Sequence, residues 1–181
     1  MKIYLFSQLL VVIATIFIGS TYLVKDKKKI MFLCIIYCFL YGYHYLILKA
    51  LTGFAMTLIS AIRNIVFYKN AKKNKNNSII TLVIFTLSAV LLGIFTFQDN
   101  FSILSIIASI ISTYSIWQKD NKKYRMLAIP VSICFIIYAI HINSLLSIIT
   151  ETLLLGIEIV GVIDYIIRNR KDILILEETY D

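Results

Sequence analysis

Lysine and arginine in this chain fall into four clusters, and the clusters occupy every second gap between apolar segments. They run from Lys25 to Lys29, Lys69 to Lys75, Lys119 to Arg125 and Arg168 to Lys171. The intervening gaps, Lys49 to Gly53, Gln98 to Asn100 and Ile142 to Ser144, are nearly free of charge. Cytoplasmic loops of membrane proteins are enriched in Lys and Arg, so a cluster in every second loop constrains both the number of crossings and their direction. The pattern predicts seven spans, with the N-terminus outside and the C-terminus in the cytoplasm.

Composition excludes the soluble alternative. A chain of 181 residues that is 60% hydrophobic has more apolar surface than a soluble core of that size can hide. The class expected is an all-α integral membrane protein. A hydrocarbon core of about 30 Å asks for roughly 20 apolar residues per helix. Spans are expected at about 3–24, 30–48, 51–68, 78–96, 101–118, 126–142 and 145–167. The net charge of +8 does not point to nucleic acid, because 15 of the 18 basic residues lie in the four clusters and serve topology and anionic headgroups. Lys2, the apolar run Ile3 to Ile18 and Gly19-Ser20 look like a secretory signal, but no clear small-x-small site ends the run. A retained first helix is expected.

The chain also repeats itself. At an offset of 94 residues, Lys25-Asp26-Lys27-Lys28-Lys29 falls on Lys119-Asp120-Asn121-Lys122-Lys123. The same offset sets Ala14 on Ala108, Leu51 on Leu145 and Ile65-Val66 on Ile159-Val160. Residues 7–69 and 101–163 share 13 identities in 63 positions, and since Ile and Leu account for many of these, the shared lysine loop carries the argument. Each unit holds three spans, and a single extra span between them lets both insert in the same direction. This predicts two parallel three-helix repeats joined by a linker helix, a known transporter plan with a central cavity. The expected divisions are 1–75, 76–98 for the linker, 99–171, and a cytoplasmic tail at 172–181. Duplication kept only for packing is the alternative.

Charged side chains inside a bilayer are costly and face a partner or a wet cavity. Arg63 lies in the third span; Glu151 and Glu158 lie seven apart on one face of the seventh. The offset pairs Thr57 with Glu151 and Asn64 with Glu158, so Arg63 and Glu158 should sit at nearly one depth and form a buried ion pair. Asp164 is expected to pair with Arg168 one turn on. The second span carries Tyr37, Tyr41, His44 and Tyr45, with Cys34 and Cys38 on the same side. Such rings suit a ligand cavity and suit helix packing equally well. The cysteines, with Cys134, are expected to be apolar filler rather than metal ligands. The fifth span shows a stripe of Ser102, Ser105, Ser109 and Ser112 beside Thr113, and its counterpart offers Gln8, Thr15 and Gly19. Small residues of this kind permit close helix approach or line a hydroxyl wall. Pro130 is expected to disturb the sixth helix.

The chain has no nucleophile–base constellation, P-loop, HExxH pair or Gly-rich dinucleotide fingerprint. Neither enzymatic activity nor a cofactor or metal is expected.

The residues now assembled resemble the bacterial inner-membrane YgjV family. The matching pieces are Gln8, the Lys-rich first loop, Ser60-Ala61-Ile62-Arg63, Ile111-Ser112-Thr113-Tyr114, Arg125, Asn143-Ser144 and Glu151. That family resembles, at a distance, the sugar-transporting SWEET, PQ-loop and nicotinamide-riboside transporter group, which shares the parallel-repeat plan. This chain lacks the Pro-Gln pair and the helix-1 prolines, so the resemblance does not extend to a proline-hinged rocking mechanism. The expectation is a transporter or facilitator for a small polar metabolite, working within the lipid bilayer, alone or as a homo-oligomer. Its cavity would be lined by Thr57, Arg63, Asn64, Glu151 and Glu158, with Tyr41 and His44 behind them. The alternative is a non-transporting scaffold or accessory subunit in which Arg63–Glu158 is only a staple.

Overall fold

A computed structural model describes residues 2–178 apart from 22, 25, 119 and 120, with side chains described as far as 167 except those of 27, 121 and 122. The described residues form seven helices: α1 (Lys2–Ser20), α2 (Lys27–Ile47), α3 (Leu51–Lys72), α4 (Ile79–Phe95), α5 (Ser102–Trp117), α6 (Asn121–His141) and α7 (Leu145–Glu178). There is no strand among the described residues. Five of the helices are long and apolar enough to cross a membrane. Helices α4 and α5 have 17 and 16 residues, a rise of roughly 24–26 Å at about 1.5 Å per residue.

Four helices, α2, α3, α6 and α7, run past their expected spans at the lysine-bearing end. Helix α3 runs on through Lys69 and Lys72, α6 starts at Asn121, and α7 continues to Glu178, through the first part of the expected tail. Lysine and arginine are good helix formers, so a basic cluster marks a membrane boundary without ending a helix. Helix α1 instead stops early, where Ser20 and Thr21 hydroxyls donate to the Ile16 and Ile18 carbonyls. Helix α6 is continuous through Pro130. The lysine loops at 25 and 119–120, the Asp164–Arg168 pairing and residues 179–181 lie outside the described residues.

Helix neighbours form a closed ring, α1–α2–α3–α5–α6–α7 and back to α1, with α4 packed outside against α3 and α5. The ring is apolar outward and polar inward. Ile3 and Phe95 are 71% and 83% exposed, whereas Arg63, Glu151 and Glu158 are 2%, 3% and 5% exposed. A soluble protein distributes these residues the other way round, so the surroundings of this fold are hydrocarbon.

Several contacts recur 94 residues apart with the two halves exchanged. Helices α2 and α6 end in the same turn. Lys49 and Asn143 adopt positive φ of 59° and 54°, and the next amides, Ala50 and Ser144, both reach back five residues to the Tyr45 and Ala139 carbonyls at 3.0 Å. A left-handed residue followed by such a bond is an efficient way to satisfy a helix's last carbonyls. Gln98 Nε2 donates to the Lys49 carbonyl, and at the corresponding position Tyr4 Oη donates to the Asn143 carbonyl. Thr52 donates to Ser102 as Leu146 N–H donates to Gln8. His44 on α2 meets Ser147 on α7, and Tyr138 on α6 meets Gly53 on α3. Asn64 donates to Cys38, and Ser132 donates to Glu158.

Candidate functional site

Rings and short polar groups close one end of the helix ring, next to the α2–α3 and α6–α7 turns. Tyr41, Tyr45 and Tyr138 pack with Val11, Ala14 and Ala50 into a buried cluster. Tyr138 crosses from α6 so that its Oη accepts from the Gly53 amide at 3.1 Å, which needs a residue without a side chain at 53. A Cβ there would stand 2.9 Å from Tyr138 Cε1 and 3.1 Å from Tyr45 Cγ. His44 is fully buried in the opposite crossing. Its Nδ1 lies 3.0 Å from the Ser7 carbonyl, which can only accept, so Nδ1 carries the proton and Nε2 accepts. A chain of donors leads to that acceptor, from Gln8 Nε2 to Ser144, from Ser144 to Ser147 at 2.7 Å, and from Ser147 to Nε2 at 3.1 Å. His44 is therefore a brace joining α1, α2 and α7. It does not belong to the cavity lining, a departure from the expected site.

Beyond this closed end lies a cavity of about 130 Å³, reaching Ser115 and Tyr124 near the lysine-bearing ends of α5 and α6. Thr57, Arg63, Asn64, Glu151, Glu158 and Tyr41 all line it. Sequence reasoning placed them together through the depth argument, and the ring brings them together because α3 and α7 face each other across it.

Arg63 is held by groups that the sequence did not assign to it. Nη1 donates to Ser112 at 2.9 Å and Thr113 at 2.7 Å, while Nε and Nη2 both donate to Asn64 Oδ1 at 3.3 Å. Four hydrogen bonds therefore occupy a guanidinium that has five donors. No ion pair within 4.0 Å joins Arg63 to Glu158 among the described residues, which corrects the expected staple. The physical reason is proximity: α3 packs directly against α5, whose serine and threonine stripe faces Arg63. Glu158 accepts instead from Ser132 at 3.0 Å. Asn64 passes its amide on to Cys38 at 3.6 Å, so Cys34 and Cys38, also in the lining, stand beside the cation. The stripe on α5 thus divides, with Ser102 bonded to Thr52, Ser105 turned back to its own helix and Ser112 with Thr113 holding Arg63. Gly19 was expected to permit close approach, but a Cβ there would meet nothing within 4 Å.

Glu151 lies two turns before Glu158 on α7 and accepts from Tyr37 Oη at 3.5 Å. Its counterpart Thr57 turns back on its own helix, donating to the Gly53 and Phe54 carbonyls. In the loop after α4, Asp99 Oδ2 meets Nε2 of His141, the last residue of α6, at 2.6 Å, and the Phe101 ring stacks on His141 at 4.2 Å. Slight burial works against the Asp99 charge, but the His141, Ser102 and Phe101 donors outweigh it and hold the carboxyl below its ordinary value. Sequence reading missed this clasp, because no repeat partner or charge run marks either residue.

Residues 5–169 match the Imp-YgjV family, described as bacterial inner membrane protein. The chain belongs to that family. As an Imp-YgjV member with an apolar exterior and several membrane-length helices, it is a multi-pass protein of the bacterial inner membrane, with the lipid bilayer as its surroundings. No curated protein and no solved structure matches the chain.

Proposed function

We propose that the chain is a transporter or facilitator for a small polar molecule, with its substrate cavity between two parallel three-helix repeats joined by α4. The observation that carries this reading is the gathering of Arg63, Glu151 and Glu158 around one cavity, together with Thr57, Asn64 and Tyr41. Three ionisable groups inside a membrane protein are costly as mere packing and are commonly found along substrate and ion pathways. The repeat plan is supported by the exchanged contacts at an offset of 94 residues, which a two-fold axis along the membrane normal accounts for. Closure at the tight-turn end, with the cavity reaching Tyr124 at the other, fits a conformation turned toward the lysine-bearing side.

That side is the cytoplasm in this proposal, with the N-terminus outside. Probe cysteines test it on a background lacking Cys34, Cys38 and Cys134. A cysteine at exposed Asn100 reacts with an impermeant reagent added outside whole cells, and one at exposed Asn74 does not. The reverse labelling overturns the orientation. Transport itself is tested by metabolite uptake and efflux in a deletion strain and its complemented form. Equal accumulation of every metabolite in the two strains would refute it.

The four hydrogen bonds that hold Arg63 favour one second reading, a non-transporting scaffold in which Arg63 only braces α3 to α5. In that case Arg63→Met lowers stability and leaves every uptake rate unchanged. A transporter loses uptake at protein levels matched to the unaltered chain.

A further inference from the structure

Glu151 is the least compensated charge in the cavity. It is 3% exposed, and among the described residues no Lys, Arg or His lies within ion-pair distance of it. Its hydrogen bond from Tyr37 Oη, at 3.5 Å, is at the limit of usefulness. By the 94-residue register Arg63 lies near the depth of Glu158, about two helical turns from Glu151, or roughly 10 Å along the axis. Buried carboxylates are kept only where a cation or a proton meets them.

The surroundings favour a cation. Tyr37, Tyr41 and Tyr45, one turn apart on α2, line the cavity with Phe135 of α6. The first two rings are 4.9 Å apart and the next pair 5.3 Å. Tyr41 is fully buried, and its Oη stands beside Glu151 and Ser147 without a hydrogen bond of good geometry to either. A buried hydroxyl without a well-formed bond is one that a ligand can satisfy. Aromatic rings attract cations through their electron-rich faces without the strict geometry that hydrogen bonds demand. An anion would meet the Glu151 charge, and the hydroxyl-bearing counterpart, Thr57, already spends its group on its own helix. The cavity therefore has one acidic, tyrosine-rich wall on the α2–α7 side.

We propose that this wall binds a small organic cation, an ammonium group seated against the Glu151 carboxylate and the tyrosines of α2, with Tyr41 Oη accepting from an N–H where the cation carries one. The proposal rests on reading the cavity as a substrate site and names the substrate's class.

Purified full-length protein in lipid nanodiscs is titrated calorimetrically with methylammonium, choline and 3,3-dimethylbutan-1-ol, the uncharged isostere of choline. Saturable binding of a cation is expected, with choline favoured over its isostere by at least about tenfold. Glu151→Gln, which keeps shape and removes charge, weakens cation binding by about tenfold or more, and Tyr41→Phe weakens methylammonium more than choline. The proposal is overturned if the isostere binds as well as choline, if neither cation saturates, or if Glu151→Gln keeps full affinity. Should Glu151→Gln not fold, the isostere comparison and Tyr41→Phe decide alone. No flux is measured here, so the two readings separate. Ammonium binding without any transport leaves the site and removes the transporter, whereas transport of another solute without ammonium binding does the opposite.

Discussion

Replacing Gly53 by alanine tests the crossing that closes the helix ring. The new Cβ would lie 2.9 Å from Tyr138 Cε1, 3.0 Å from Tyr138 Oη and 3.1 Å from Tyr45 Cγ, all within ring systems that are themselves fully packed. Overpacking of this kind costs about 1–3 kcal/mol. Displacing Tyr138 also weakens its bond from the Gly53 amide, a further loss of about 0.5–1.5 kcal/mol. Against this stands the better helix propensity of alanine, about 1 kcal/mol. The net expectation is a destabilisation of about 0.5–3.5 kcal/mol, or a melting temperature lower by roughly 1–14 °C for a chain of this size. Thermal unfolding in detergent reads it, with Gly156→Ala as the control, because a Cβ at 156 meets nothing within 4 Å. That control should melt at or above the parent temperature. In a Tyr138→Leu background the cost of Gly53→Ala should fall, since the two closest clashes are gone and only that with Tyr45 remains. If Gly53→Ala melts with Gly156→Ala, the reasoning fails: Tyr138 does not cross to α3, and the closed end of the cavity is misplaced.

Arg63→Lys keeps the charge but replaces a planar fork by a point, which cannot serve Ser112, Thr113 and Asn64 together; a loss of about 1–3 kcal/mol is expected in the same melting assay, and an unchanged melting temperature would contradict the described hydrogen bonding. Lys49→Gly and Asn143→Gly relieve left-handed backbone at equivalent turns, and lysine, the poorer αL residue, should gain more, by up to about 1 kcal/mol. At the clasp, the depressed Asp99 carboxyl contributes stability that is present above the ordinary carboxylate range and lost as pH falls through its folded value. The difference in melting temperature between the parent chain and Asp99→Asn should therefore shrink below about pH 4; a difference constant down to pH 2 would remove the role assigned to Asp99.

Much of this fold was legible because a membrane leaves a chain few choices. Backbone polar groups in hydrocarbon must bond within their own segment, so long apolar runs become helices wherever they occur. The lysine clusters separate those runs, and all seven helices lie close to the spans read from them. The 94-residue offset set Thr57 level with Glu151 and Asn64 level with Glu158 by counting along two helices. Six of the seven expected lining residues meet at one cavity.

Tertiary structure decided which partners those residues take. From sequence, Arg63 and Glu158 were opposite charges at one depth, and attraction between them was the natural inference. Helix order around the ring placed α5 directly beside α3, however, and short-range hydroxyl bonds from Ser112 and Thr113 claimed the guanidinium. His44 was likewise drawn away from the cavity, because a serine network on α7 and the Ser7 carbonyl reach both its nitrogens. The bilayer's demand for internally bonded backbone acts on one segment at a time and is written in composition. The contacts of a buried side chain depend on which helix lies next to it, and only the closed ring settles that.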